Sequence, residues 1–89
     1  MDRELFIKDH GLDPEVLFLD EDFYDEAIIG TDANSGVLVY SYDVLVEQAM
    51  LNMGISYEDA AEHIDYNVLG SINQSGGLYP KVVHLLEKC

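Results

Sequence analysis

The carboxylates are the side chains of this sequence with most chemistry to offer, and their spacing first suggests a metal. Asp32, Asn34 and Asp43 occupy the first, third and twelfth places of a calcium-loop pattern, where oxygen ligands would surround a hard cation. The rest of the pattern fails. Gly36 stands fifth, Val37 stands where the loop needs its glycine, and an aspartate replaces the bidentate glutamate. A hairpin turn explains these residues better, because β-type sequence lies on both sides. His10, His63 and His84 are scattered, with no His-Glu-x-x-His run and no Cys-x-x-Cys pair, so zinc lacks a ligand set. His63 stands one helical turn from Asp59, a spacing that reads as a surface pair. Ser41, Ser56, Ser71 and Ser75 fall in turns or caps without a nucleophile elbow, and Gly76-Gly77 lacks the lysine of a phosphate loop. The expectation is a non-enzymatic chain with no catalytic residue, no metal and no cofactor.

What remains is the charge itself. No lysine or arginine occurs between Lys8 and Lys81, yet fifteen of the eighteen aspartates and glutamates fall in that span, and the formal net charge is −14. A small soluble domain usually carries a net charge of about 2 to 8 in magnitude, and a larger one costs stability through self-repulsion. Such a field repels nucleic acid and anionic lipid and steers basic surfaces inward. Duplex DNA presents one negative charge per ~1.7 Å of axis, and carboxylates one helical turn apart, at about 5 to 6 Å, imitate that field. Glu58, Glu62 and Asp65 are spaced this way on one helix face, and Asp20, Glu21, Asp22, Asp25 and Glu26 crowd a predicted loop. Helix faces usually alternate sign to gain i,i+4 pairs, and here no basic residue is at hand. The expected partner-binding set is therefore Asp20, Glu21, Asp22, Asp25, Glu58, Glu62 and Asp65.

The elements that must hold these residues can be read from local signals. Asp2 to His10 reads as a short helix stopped by Gly11. Asp13-Pro14-Glu15 carries the marks of a helix start, opening an apolar turn at Val16-Leu17-Phe18-Leu19. In the acidic run that follows, Phe23 and Tyr24 are expected to turn inward and anchor an exposed loop. Residues 27 to 31 and 37 to 42 are rich in β-branched and aromatic types, and the turn formers Asp32 to Gly36 between them predict a hairpin. Asp43 is expected to cap a helix through Met53, built on Val44, Leu45, Ala49, Met50 and Met53 and ended by Gly54. Ser56 caps the next, with Asp59 three residues on and Ile55 and Ala60 in staple positions. That helix should reach about Asn67 and stop at Gly70, and Asn73 to Gly77 reads as a loop. Residues 82 to 86 fit a strand or a short helix, and a third strand beside the hairpin is favoured because a lone hairpin is marginal.

These elements amount to one small α+β domain, a hairpin plus third strand packed on two main helices. With 89 residues, 48% of them hydrophobic, the chain supports one modest core, and nine Tyr and Phe set it apart from a disordered acidic tail. Its single cysteine, Cys89, allows no intrachain disulfide, which suits a reducing compartment. The absence of a basic n-region before a long apolar run, and of any apolar stretch of span length, predicts a soluble, unprocessed protein away from membranes.

The stretch from Asp25 to Gly70 also resembles a family of small acidic proteins of bacteriophages and prophages with no assigned function. The residues that carry the resemblance are Asp25, Ala27 and Gly30, Tyr40 or Tyr42, the run from Gly54 to Ala60, Glu62, and Asn67-Val68-Leu69-Gly70. It spans about half the chain, and beyond Gly70 this sequence departs from the family's shorter ending. The resemblance implies a phage origin, a shared fold and the cytoplasm of a bacterial host, and brings no catalytic residue. Joined to the charge, it leads to an inhibitor of anti-CRISPR or anti-restriction type, a DNA mimic seated on a basic host nuclease or other nucleic-acid-binding protein. The alternative is a regulatory or assembly adapter that docks through an apolar patch. A homodimer is compatible with either.

Overall fold

The computed structural model describes residues 2–70 and 79–86. Helix α1 (Arg3–His10) begins where the Asp2 side chain accepts from the Leu5 amide and ends at Gly11, whose φ of 62° lies in the left-handed region that favours glycine. A 3₁₀ helix (Asp22–Ala27) leads into the hairpin β1 (Ile28–Thr31) and β2 (Leu38–Ser41). Helix α2 (Tyr42–Met53) follows at once, and α3 (Tyr57–His63) continues as a π-helical stretch, Ile64–Leu69. Strand β3 (Lys81–Val83) completes the sheet, in the order β1-β2-β3. The fold is α+β, as expected.

The hairpin forms where turn chemistry dictates. The Asp32 carboxylate accepts from the amides of Asn34 (2.7 Å) and Ser35 (3.3 Å), and the Asp32 amide donates to the Val37 carbonyl at 2.8 Å. Strands β1 and β2 pair antiparallel with a bulge between Ile28 and Gly30. Strand β3 runs parallel to β2, with Tyr40 opposite Val82. The third strand expected within 82 to 86 is present at Val82 and Val83, and residues 84 to 86 lie outside it. The expected loop from Asn73 to Gly77, together with Ser71, Ser75 and Cys89, lies outside the described residues.

The core sits between the central strand and the helices. Leu38 and Tyr40 from β2, Leu45, Val46 and Ala49 from α2, and Ala60 and Ile64 from the α3 segment are almost fully buried. Each large aliphatic side chain among them contributes roughly 1.5–3 kcal/mol by leaving water. Val46 belongs here although it stood outside the expected helical stripe, whereas Met53 is 42% exposed.

Two local expectations are corrected. Helix α2 is capped by the Ser41 hydroxyl, which accepts from the Val44 amide, and Asp43 lies inside its first turn. Asp13 does open a turn, accepting from the Glu15 amide at 2.8 Å, yet no helix follows, because the next amides are claimed elsewhere. Val16 N–H closes the turn onto the Asp13 carbonyl, and the buried Leu19 amide donates to the Tyr40 hydroxyl at 3.1 Å. Gly70, expected to stop the second helix, is the C-cap of the Ile64–Leu69 stretch, with right-handed geometry at φ −61°.

Candidate partner-binding surface

Two of the described cations, Arg3 and Lys81, pair with the least exposed of the described carboxylates. Arg3 of α1 donates to both oxygens of Asp25, through Nη2 at 2.9 Å and Nε at 3.1 Å. The same Nη2 reaches the Leu19 carbonyl at 2.9 Å, and the guanidinium carbon lies 4.7 Å from the centre of the Phe18 ring. The hydrogen bond to Asp25 is the main reason the Arg3 pKa is raised. Lys81 of β3 pairs with Asp32 in the hairpin loop. That bond, with the two backbone amides, lowers the Asp32 pKa from the usual 3.8 to about 2. Among the described residues Lys8 is the cation left outside an ion pair, and every acid except Asp25 and Asp32 is exposed.

Six of the seven expected partner-binding residues accordingly face solvent: Asp20, Glu21, Asp22, Glu58, Glu62 and Asp65. Asp25 does not. It is 8% exposed, and Arg3 holds its carboxylate inside the fold. The physical reason is the 3₁₀ geometry of 22 to 27, which turns Tyr24, Asp25 and Ala27 inward while Asp22 and Glu26 stay outside. Tyr24 anchors the segment as expected, at 2% exposure, and Phe23 is half-buried beside it with ring centroids 4.6 Å apart.

The two acidic groups are brought together in part. A groove of about 400 Å³ runs between the segment 18 to 24 and the far end of the α3 stretch. Phe18, Leu19, Asp20, Glu21 and Tyr24 form one wall. His63, Asn67 and Val68 form the other, with Tyr79 and Pro80 before β3. His63 and Asn67 also border a shallower depression with Asp59, Glu62 and Tyr66, so acids flank this helix edge on both sides. Asn67 donates to the His63 carbonyl at 3.3 Å, and its amide nitrogen lies 3.1 Å from His63 Nδ1. The expected pairing of His63 with Asp59 thus gives way to a contact with Asn67. Asp22 and Glu58 are exposed outside the groove. Asp65 accepts from the Tyr42 hydroxyl at 3.0 Å, which fixes its carboxylate against the start of α2.

One polar atom in this region is left without a partner. The Tyr24 hydroxyl is buried and makes no hydrogen bond, a state that costs about 1–3 kcal/mol of lost hydration. Burial raises its pKa, and the charge of Glu21 raises it further. Sequence reasoning placed Tyr24 inside. It could not foresee the orphan hydroxyl, nor the roles of Phe18, His63 and Tyr79, because each depends on contacts between segments distant in the chain.

Among the described residues no group of three or more His, Cys, Asp or Glu is arranged to hold a metal ion. Asp32, which suggested a calcium loop, is occupied by backbone amides and Lys81. No described helix is long and apolar enough to cross a membrane. Comparisons with protein-family models, curated proteins and solved structures found no match to this chain.

Proposed function

We propose that this protein acts without catalysis, as an acidic ligand that occupies the basic nucleic-acid-binding surface of another protein and excludes nucleic acid from it. The observation that carries this reading is the division of charge. The described cations other than Lys8 are consumed by Asp25 and Asp32, and Asp20, Glu21, Asp22, Glu58, Glu62 and Asp65 stand on the surface without basic neighbours in sequence. A domain that needed only solubility would gain from interspersed signs, through pairs worth a few tenths of a kcal/mol each. The phage-like motifs from Gly54 to Gly70 extend the proposal to a host defence nuclease or related protein as partner, an inhibitor of anti-CRISPR or anti-restriction type acting in the cytoplasm of a bacterial host.

A second reading, an adapter docking through apolar surface, is favoured by Leu51 at 77% exposure and by Met53 and Tyr57 nearby in sequence. Salt separates the two. Capture from bacterial lysate on the immobilised protein at about 0.05 M and about 0.5 M NaCl is expected to retain a basic protein at the lower salt only, since electrostatic attraction is screened within a few ångströms at the higher. The identified protein should then be released by competing duplex DNA. Retention unchanged at high salt, with loss on Leu51→Ser, would replace the first reading by the second.

A further inference from the structure

Strand β1 forms one edge of the sheet, paired with β2 on one side and, among the described residues, with nothing on the other. The Asp32 amide donates to the Val37 carbonyl, and antiparallel pairs alternate between bonded and unbonded. The next pair, Thr31 with Leu38, therefore turns the amide and carbonyl of Thr31 toward the free edge. Natural edges are guarded against pairing by lysine, proline or a bulge. Here the bulge between Ile28 and Gly30 is present, but the strand has no charged residue and no proline, and Ile29 is 46% exposed. The same strand forms one wall of a groove of about 340 Å³, and Phe6, His10 and Leu12, from α1 and just beyond it, form the other. An open row of backbone partners thus lies beside an apolar slot.

We infer that β1 receives an extended segment of the partner protein as an added strand, one in which basic residues alternate with apolar ones that enter the groove against Phe6, Leu12 and Ile28. The inference deepens the proposed function and rests on its premise of a basic protein partner. In such strand addition the backbone bonds supply affinity, and pockets for alternate side chains supply specificity. Charge selects the occupant. Asp9 and Asp13 stand exposed on either side of the wall from His10 to Leu12, and Glu26 stands exposed two residues before β1. Lys8 is the single cation of residues 8 to 13 and 26 to 32. A second copy pairing edge to edge would bring a net charge of −14 against a net charge of −14, whereas a segment carrying lysine or arginine brings the opposite sign.

The test titrates acetyl-Lys-Val-Lys-Val-Lys-amide into the intact protein, followed by amide-resolved NMR and hydrogen exchange. Its controls are the fully N-methylated form, which keeps charge and apolar content but donates no ladder bonds, and the acidic Glu-Val-Glu-Val-Glu counterpart. Saturable shifts at residues 6 to 12 and 28 to 31, with slowed exchange of the Thr31 amide, are expected for the first peptide alone. Thr31→Pro removes an outward amide that β2 does not use and should lower affinity about three- to tenfold. Ile29→Lys, at an exposed position, sets a guarding cation on the edge, so it should lower affinity to a similar degree and serves if Thr31→Pro fails to fold. Equal binding of the N-methylated peptide, unchanged exchange at Thr31, or full affinity in every folded variant would overturn the inference. A dimer at high salt that Ile29→Lys dissolves would overturn it too, because the edge would then belong to a second copy. Failure of these titrations leaves displacement of nucleic acid from a basic partner intact, whereas failure of that displacement with an edge that still binds the peptide would reject the proposed function alone.

Discussion

Asp25→Asn should destabilise the protein even though it removes one negative charge from a chain with a net charge of −14. The carboxylate is 5% exposed at its side chain and accepts two bonds from an Arg3 whose side chain is 31% exposed. Breaking a fully buried ion pair costs about 3–5 kcal/mol, and hydrogen bonds to charged groups are worth about 1.5–3 kcal/mol each. Arg3 can partly rehydrate at its exposed edge, and asparagine keeps one acceptor, so both figures must be reduced. An expected loss of about 1–2 kcal/mol follows, or roughly 4–16 °C in Tm for a domain of this size. Urea unfolding followed by circular dichroism would measure it, with Asp22→Asn as a control three residues away that should change stability by no more than about 0.5 kcal/mol. The contrast rests on sign. If Asp25→Asn stabilises as much as Asp22→Asn does, relief of self-repulsion outweighs the pair, and Arg3 is not the clasp that joins α1 to the 3₁₀ segment.

Other outcomes follow from the same charges and burials. Sodium chloride near about 0.2 M should raise the melting midpoint by screening carboxylate repulsion, and an insensitive midpoint would mean the acids form no coherent field. Because the Asp32 pKa is lowered from 3.8 to about 2, its pairing with Lys81 contributes stability above the higher value and loses it as the pH falls toward the lower. Urea midpoints of the parent and Asp32→Asn should therefore converge across that interval, and a constant gap would argue against the pair. Tyr40 is fully buried and its pKa is pushed up from 10.0 to about 12, so it should ionise late in an ultraviolet titration. Its neutral form contributes stability that is complete below the first value and declines as the pH rises toward the second. Tyr40→Phe should remove the late step, and it should weaken the fold by about 1–3 kcal/mol because the buried Leu19 amide loses its acceptor.

Elements with a local cause were readable from sequence. Ser56 does accept from the Asp59 amide, Gly11 and Gly54 do end their helices at positive φ, and Asp32 does organise the hairpin turn. Features set by distant contacts were not. Asp25 looked like one more acid in a run, and only the approach of Arg3, 22 residues earlier, separates it from Asp22. Asp13-Pro14-Glu15 has every local mark of a helix start, but the Tyr40 hydroxyl, from a strand 21 residues later, claims the Leu19 amide. The candidate surface was legible as a set of exposed acids. The groove through it was not, since Phe18, Tyr24, His63 and Tyr79 meet there only after the sheet and the α3 stretch have packed.

Competition at equilibrium separates occupation of a nucleic-acid-binding surface from apolar docking. The captured partner would be bound to a fluorescent DNA duplex and titrated with the parent protein, with a variant carrying Asp20→Asn, Glu21→Gln, Asp22→Asn and Glu62→Gln, and with Leu51→Ser. Displacement of the duplex is expected with the parent and with Leu51→Ser, and weaker displacement with a shallower salt dependence is expected with the neutralised variant. A ternary complex in which the duplex stays bound, or full displacement by the neutralised variant with loss in Leu51→Ser, would contradict the proposed function.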